Sequence, residues 1–393
     1  MRLVLLLAAA ASGLLRAPQR RARAGLHAAG GDVEPFGGAL SKEADAAARC
    51  VRAAVRACLD VQASLAVARD QKDSLGKGVD ASAVSKGKAA VKADATPVTA
   101  ADFGIQGYVS AVLLKHFAGD RFMGEEDAAD LRLDADLRAN SFAIAKACAE
   151  SEDLPLSEAL FVGCVDRGVE DKASDDKRRC WILDPIDGTK GLITGQQYII
   201  GLALVDSFGD TLVACMGNPS VPDFPIMVAV KGKGLRYFSL DDAPGVERIS
   251  KAPWKPNYDY SKLAGLSDES ALRTPGVDFP PFLLSRPMDA GSPLPFGPFA
   301  APSTICCGAL IKYWAVARNE VAGFIQYETT LKSWDHAAGL LCVSESGGTA
   351  TDGAGAPVRF DAREVAVKGA VVCCAQAASE KTRQLFRQAA KPA

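Results

Sequence analysis

Between residues 42 and 69, Ala, Val and Leu recur at helical spacing with Arg and Asp between them, and the pattern predicts an amphipathic first helix. A second helix is predicted to begin near Asp102, with Ile105, Tyr108, Val109, Val112, Leu113 and Phe117 on a broad apolar face. A short apolar run through Phe122, Met123 and Gly124 reads as a strand that delivers Glu125 and Glu126; the acidic stretch over 127–136 reads as a solvated surface connection. Trp181, Ile182 and Leu183 form another apolar strand, which ends in Asp184. Residues 198–205 and 211–216 read as paired strands with Gly209-Asp210 at the turn. Further on, 308–317 looks helical, Phe324-Ile325 looks like a strand, and 334–345 reads as a helix stopped by Gly347-Gly348.

Two stretches break the pattern. Residues 71–95 are rich in Gly, Lys, Ser and Asp and read as a mobile loop whose lysines are either solvated or part of a phosphate-facing lid. Residues 241–302 are rich in Pro, Gly and Ser and read as a long surface excursion. Strands and helices alternate, but unevenly, which points to stacked α and β layers instead of a regular doubly wound sheet. The division expected is a leader over 1–31, an N-terminal α+β metal-binding lobe over 42–220 and a C-terminal α/β substrate lobe over 221–388.

Length and composition permit such an architecture: 393 residues, 48% hydrophobic and 23% charged, are ordinary for a globular chain with two cores. The first 31 residues carry five arginines (Arg2, Arg16, Arg20, Arg21 and Arg23), no acid and a short apolar run, which reads as a targeting leader outside the fold. Its two-part character, apolar and then Arg- and Ala-rich, suits import into an organelle, a plastid above others; a simple secretory signal is the alternative. Beyond the leader no apolar stretch reaches the roughly 18 residues of a membrane span. The whole chain holds 45 Lys plus Arg against 47 Asp plus Glu, so without the leader's five arginines the body is clearly acidic. That argues against polymeric nucleic acid as a partner, because phosphate backbones need a basic footprint. The 11 cysteines show no metal-finger spacing, and the adjacent pairs Cys306-Cys307 and Cys373-Cys374 are expected to pack as small apolar residues, with a redox-sensitive disulfide as the alternative. Nothing fixes the oligomeric state, and a monomer is the working expectation.

Common catalytic schemes fail by inventory. The chain has three histidines: His27 in the leader, His116 on an ordinary helix, and His336 after an aspartate. It has no Gly-x-Ser-x-Gly elbow, no Walker loop and no Gly-x-Gly-x-x-Gly. Carboxylates remain, placed where apolar elements end: Asp102, Glu125-Glu126, Asp184 with Asp187, and Asp335. Taken singly, Asp102 and Asp335 read as helix N-caps and the glutamates as loop residues. Asp184 and Asp187 read differently. Pro185 fixes the turn between them, Gly188 lets backbone approach a ligand, and the amides of Gly188 and Thr189 can face an anion at the start of a helix. With the carbonyl of Ile186 in the same space, this corner is suited to holding Mg2+ beside a phosphate.

The runs Asp94-Ala95-Thr96-Pro97-Val98-Thr99-Ala100-Ala101-Asp102, Gly124-Glu125-Glu126, Asp184-Pro185-Ile186-Asp187-Gly188-Thr189-Lys190-Gly191 and Trp334-Asp335-His336-Ala337-Ala338-Gly339, closing with Gly347-Gly348, together resemble the lithium-sensitive, Mg2+-dependent phosphomonoesterases. That superfamily includes inositol monophosphatase, fructose-1,6-bisphosphatase and the 3′(2′),5′-bisphosphate nucleotidases. The Lys190-Gly191 ending and the Trp-Asp-His-Ala-Ala-Gly form look most like the nucleotidases. The resemblance covers about residues 42–385 and implies an α/β layered α-β-α-β-α sandwich. It implies that Glu125, Asp184, Asp187, Asp335 and the Ile186 carbonyl hold two or three Mg2+ ions. Asp102 and Thr189 match the pair that activates the attacking water, and Gly188, Thr189, Lys312 and Asp335 match substrate-facing positions.

The match thins where nucleotide is bound. Lys312 fits the family's lysine, but Ala309 stands in place of a serine, Gln326 in place of an arginine, and the loop over 284–302 offers Ser285 and Arg286 without a histidine. An arginine that forks onto phosphate has no substitute in glutamine. The implied activity is removal of the 3′-phosphate of adenosine 3′,5′-bisphosphate or its sulfated form, serving sulfate assimilation. The same chemistry on an inositol or sugar phosphate, and a catalytically silent phosphate sensor, are the alternatives.

Overall fold

In the computed structural model the described residues are 36–74, 89–91, 97–169, 178–222, 224–240, 283–285, 303–305, 307–321, 323–326, 330–376, 378 and 380–389. The centre is a six-stranded sheet: β3 (Arg121–Gly124), β4 (Cys180–Asp187), β5 (Ile199–Val205), β6 (Thr211–Gly217), β7 (Ile226–Val230) and β8 (Gly234–Phe238), hydrogen-bonded in that order. Only β3 and β4 run parallel; every other neighbour is antiparallel. β4, β5 and β7 are buried along their whole length. Their near-continuous apolar sequence follows from cover on both faces, which leaves no position to alternate toward water.

One face carries α1 (Ser41–Ser74) and α2 (Ala100–His116). Trp181, Leu183, Ile200, Leu202 and Leu204 point into that core with Val51, Val55, Tyr108 and Val112. The alternate strand residues Ile182, Ala203, Ala214 and Met216 point the other way, onto α7 (Leu310–Ala317) and α8 (Ala337–Glu345). Behind those helices lies an antiparallel sheet of β11 (Gly323–Gln326), β15 (Val371–Cys374) and β13 (Thr349–Asp352), in that order. α9 (Glu380–Ala389) packs on its outer side. The layers therefore run α, β, α, β, α, as expected. Three two-stranded pairs complete the set: β1 (Ala89–Val91) with β2 (Pro97–Thr99), β9 (Leu283–Ser285) with β10 (Ser303–Ile305), and β12 (Thr330–Lys332) with β14 (Glu364–Ala366).

Several expectations need correction. The acidic stretch over 127–136 is not a bare connection: it holds α3 (Ala129–Leu133) and the start of α4 (Ala135–Ala149), after which comes α5 (Glu158–Asp166). Asp134 is the N-cap of α4, accepting from the amides of Asp136 and Leu137, so acids read as solvated are helix-start acids. The first helix continues to Ser74, four residues into the stretch read as loop; 75–88 and 92–96 lie outside the described residues. So does most of 241–302. β7 and β8 lie beyond residue 220, yet they complete the sheet that the first lobe begins. Cys373 and Cys374 are buried and free, whereas Cys307 is disulfide-bonded instead of merely packed. Apolar surroundings favour both outcomes, so they did not separate them. No helix among the described residues is long and apolar enough to cross a membrane.

Candidate metal centre

Asp184 and Asp187 are three residues apart on β4, and in a regular strand such residues face opposite sides of the sheet. Here the pairing with β5 shifts: Asp184 is opposite Gly201 and Asp187 opposite Ile199, so three steps on β4 match two on β5. The extra residue is a bulge, placed where Pro185 has no amide to give to the ladder. It turns both carboxylates to the same place. Asp335, in a 3-10 turn (Ser333–Asp335) ahead of α8, brings a third. Ligand oxygens of Asp184, Asp187 and Asp335 lie within 4.8 Å of one another, the first two buried and the third half-buried. Asp335 does not cap α8, whose N-cap is His336 without a side-chain bond. His336 is instead fixed by the Tyr313 hydroxyl, 2.6 Å from its Nδ1, which steadies the chain beside Asp335.

Asp187 is held by backbone. Its Oδ1 accepts from the Ala309 amide at 2.8 Å and its Oδ2 from the Leu310 amide. Gly308 makes this possible: its φ is +91°, and a Cβ there would collide with the Asp187 carboxylate. Burial pushes the Asp187 carboxyl up to about 7; the two amides work against that, Glu125's charge adds to it, and Lys312 opposes it. Glu125, half-buried at the end of β3, is therefore an electrostatic neighbour of Asp187, although not one of the three clustered carboxylates. Glu126, read as a loop residue, is buried. Such a set of hard oxygen donors, two of them out of water, fits a divalent cation such as Mg2+: its charge would offset the burial that raises Asp187.

Beside the acids stands a hydroxyl and its partner. Thr189, the first residue of α6 (Thr189–Thr194), places Oγ1 3.1 Å from Asp102 Oδ1 and 3.2 Å from the Ile186 carbonyl. Gly188 enters that helix at φ +90°, and a Cβ on it would lie 2.6 Å from the Cys307 carbonyl. Asp102 is fully buried. It is not the N-cap of α2, as expected, but the third residue of the helix. Thr99 is the cap, and its amide and hydroxyl meet Asp102 Oδ2 at 2.8 and 2.7 Å in a capping box. One oxygen thus secures the helix and the other faces Thr189.

Lys312 is buried on α7, donates to Gln326 Oε1 at 2.7 Å and lies 5.3 Å from the Phe324 ring centroid. Gln326, in place of an arginine by sequence, is in the fold a partner of Lys312. The amides of Ala309 and Leu310 have no sequence signal except the glycine ahead of them.

An α/β sandwich that gathers acids at the end of a central strand, beside a hydroxyl, is suited to metal-assisted phosphate chemistry. The family model described as "Inositol monophosphatase family" matches residues 51–391, and the chain belongs to that family. Curated relatives agree. A 3'(2'),5'-bisphosphate nucleotidase of Emericella nidulans is 30% identical over 76% of this chain and 90% of its own. The 3',5'-bisphosphate nucleotidase AHL of Arabidopsis thaliana is 29% identical over 87% and 95%. A further Arabidopsis thaliana relative, 30% identical over 81% and 79%, carries a mitochondrial assignment in its name. Among solved structures, the extragenic suppressor protein suhB from Bartonella henselae shares the fold with a TM-score of 0.51 at 17% identity, covering 89% of this chain and 98% of that one.

Proposed function

We propose that this chain is a Mg2+-dependent phosphomonoesterase that removes the 3′-phosphate of adenosine 3′,5′-bisphosphate, or of its sulfated form, to leave a 5′-nucleotide and inorganic phosphate. The observation that carries the reading is the convergence of Asp184, Asp187 and Asp335 beside the Thr189-Asp102 pair. The names of the curated relatives support the substrate class.

Asp184, Asp187, Asp335 and Glu125, with the Ile186 carbonyl, would hold Mg2+, which neutralises phosphate charge and acidifies the attacking water. The chain's own groups do the rest. Thr189 Oγ1 accepts a hydrogen bond from the water while its own hydroxyl points to Asp102 Oδ1, so the water's proton leaves toward a buried carboxylate. The water oxygen bonds to phosphorus, the bond from phosphorus to the 3′-oxygen breaks, and that oxygen takes a proton from solvent water, while Asp102 returns its proton to solvent. No protein nucleophile is needed. The amides of Gly188 and Thr189 and the Lys312 ammonium supply positive ends toward the phosphate.

The exchange of arginine for Gln326 favours a second reading, an inositol or sugar phosphate as the better substrate. A side-by-side rate comparison of adenosine 3′,5′-bisphosphate, inositol 1,4-bisphosphate, inositol 1-phosphate and fructose 1,6-bisphosphate decides. The nucleotide is expected to be hydrolysed fastest, and its being the slowest of the four contradicts the substrate. Release from none of them favours the silent sensor. Added Li+ is expected to inhibit. We take the leader as an organellar import signal and the plastid as the destination; the fluorescence of a leader fusion in plant cells tests both.

A further inference from the structure

Two carboxylates implicated in cation binding, Glu125 and Asp335, lie far apart in the sequence, and one arginine connects their supports. The Arg363 carbonyl accepts from the Ser333 amide at 2.9 Å, at the start of the turn that carries Asp335. Its guanidinium lies 4.7 Å from the Trp334 ring centroid, over the residue next to Asp335. The same guanidinium reaches across to donate from Nη1 to the Gly168 carbonyl at 2.6 Å.

Gly168 leads directly to Glu125. A Cβ on Gly168 would lie 2.6 Å from Gln106 Nε2 and 3.1 Å from the Gly124 amide nitrogen, so its backbone rests against both. Gln106 is buried and pins the residue after Glu125 at both polar ends. Its Nε2 donates to the Glu126 carbonyl at 2.6 Å and to the Val165 carbonyl at 2.9 Å, and its Oε1 accepts from the Glu126 amide at 2.9 Å. Glu125 is therefore flanked by Gly124, in the strand, and by a residue whose backbone Gln106 fixes.

We propose that Arg363 is a positioning residue for the cation site, holding the Asp335 turn in register with the Glu125 loop through Gly168 and Gln106. The proposal rests on the reading of those acids as cation ligands. Groups that orient ligands without touching the ion typically change affinity or activity about 10- to 100-fold when removed.

The test is Mg2+ binding alone, by titration calorimetry on the full chain, for wild type, Arg363→Met, Arg363→Lys and Arg359→Met. Arg359, an exposed partner of Asp210 in the same segment, controls for loss of charge. Arg363→Met is expected to raise the Mg2+ Kd about 10-fold or more, Arg363→Lys to raise it less, and Arg359→Met to leave it unchanged. Circular dichroism of Arg363→Met without Mg2+ is expected to match wild type, which a general folding defect would not allow, and saturating Mg2+ is expected to restore its turnover. A Kd within about twofold of wild type in both Arg363 variants overturns the proposal, and Arg363→Lys decides alone if Arg363→Met does not fold. A wild-type chain that binds no Mg2+ overturns the cation reading itself, and the proposal with it.

Discussion

Thr189 Oγ1 stands 3.1 Å from Asp102 Oδ1, and the other oxygen of that carboxylate is taken by the amide and hydroxyl of Thr99. A helix cap and the proposed catalytic pair thus share one buried side chain. Asp102 cannot turn away from Thr189 without opening the start of α2, so the hydroxyl has a fixed proton acceptor.

Thr189→Val keeps the shape of this side chain and removes the hydroxyl. It is expected to lower kcat by about 10² to 10⁴, the usual worth of general acid-base help, with a small change in KM. Thr189→Ser is expected to retain most of the activity. Steady-state kinetics check both, and a Thr189→Val enzyme within about threefold of wild type would remove Thr189 from the chemistry.

On the proposed reading, Asp187 sets the pH dependence of cation binding. Its carboxyl is raised to about 7 by burial, with Glu125 adding to it, so below that pH a proton competes with Mg2+. In the metal-free protein a raised carboxyl favours the folded state most at low pH, and that contribution fades as pH rises from about 4 through about 7. The gain in Tm on adding Mg2+ is therefore expected to grow from pH 5.5 to 8. Thermal melts with and without Mg2+ measure it; a gain that is flat or shrinks with pH contradicts the coupling.

Gly308→Ala forces a side chain into a left-handed backbone position and into the Asp187 carboxylate. A cost of about 1–3 kcal/mol in stability is expected, together with a loss of Mg2+-induced stabilisation. Denaturant unfolding with and without Mg2+ separates the two effects. Unchanged Mg2+ stabilisation would show that the Ala309 and Leu310 amides are not needed to aim Asp187.

Lys312→Met removes a buried ammonium near the carboxylates while keeping an apolar chain of similar length. The expected outcome is a rise in KM for the nucleotide of about tenfold, the loss of about one charge-assisted hydrogen bond. An unchanged KM would assign Lys312 to the support of Gln326 and Phe324 alone.

Much of this site is legible in the sequence because it is local. Asp184, Pro185, Asp187, Gly188 and Thr189 lie within six positions, and the spacing itself signals a cation corner. The layering is legible in the uneven alternation of strands and helices, and its five-layer order in the resemblance those local motifs carry. What escapes is whatever depends on distant pairing. The bulge that brings Asp184 and Asp187 together is decided by registry with β5, and the amides that hold Asp187 belong to residues over a hundred positions away with no telling side chains. Gln326 looks like a loss until Lys312 is seen beside it. The helix starts within 127–136 are masked by acids, because Asp134 is at once a charged surface residue and a helix cap.

Release of inorganic phosphate from adenosine 3′,5′-bisphosphate by the wild-type chain and by Asp187→Asn, each with and without Mg2+, tests the central claim most directly. Wild type is expected to turn over only with Mg2+, and Asp187→Asn to fall by orders of magnitude while still folded by circular dichroism. Full wild-type activity without Mg2+, or an Asp187→Asn enzyme that retains most of its rate, would contradict the metal-dependent reading.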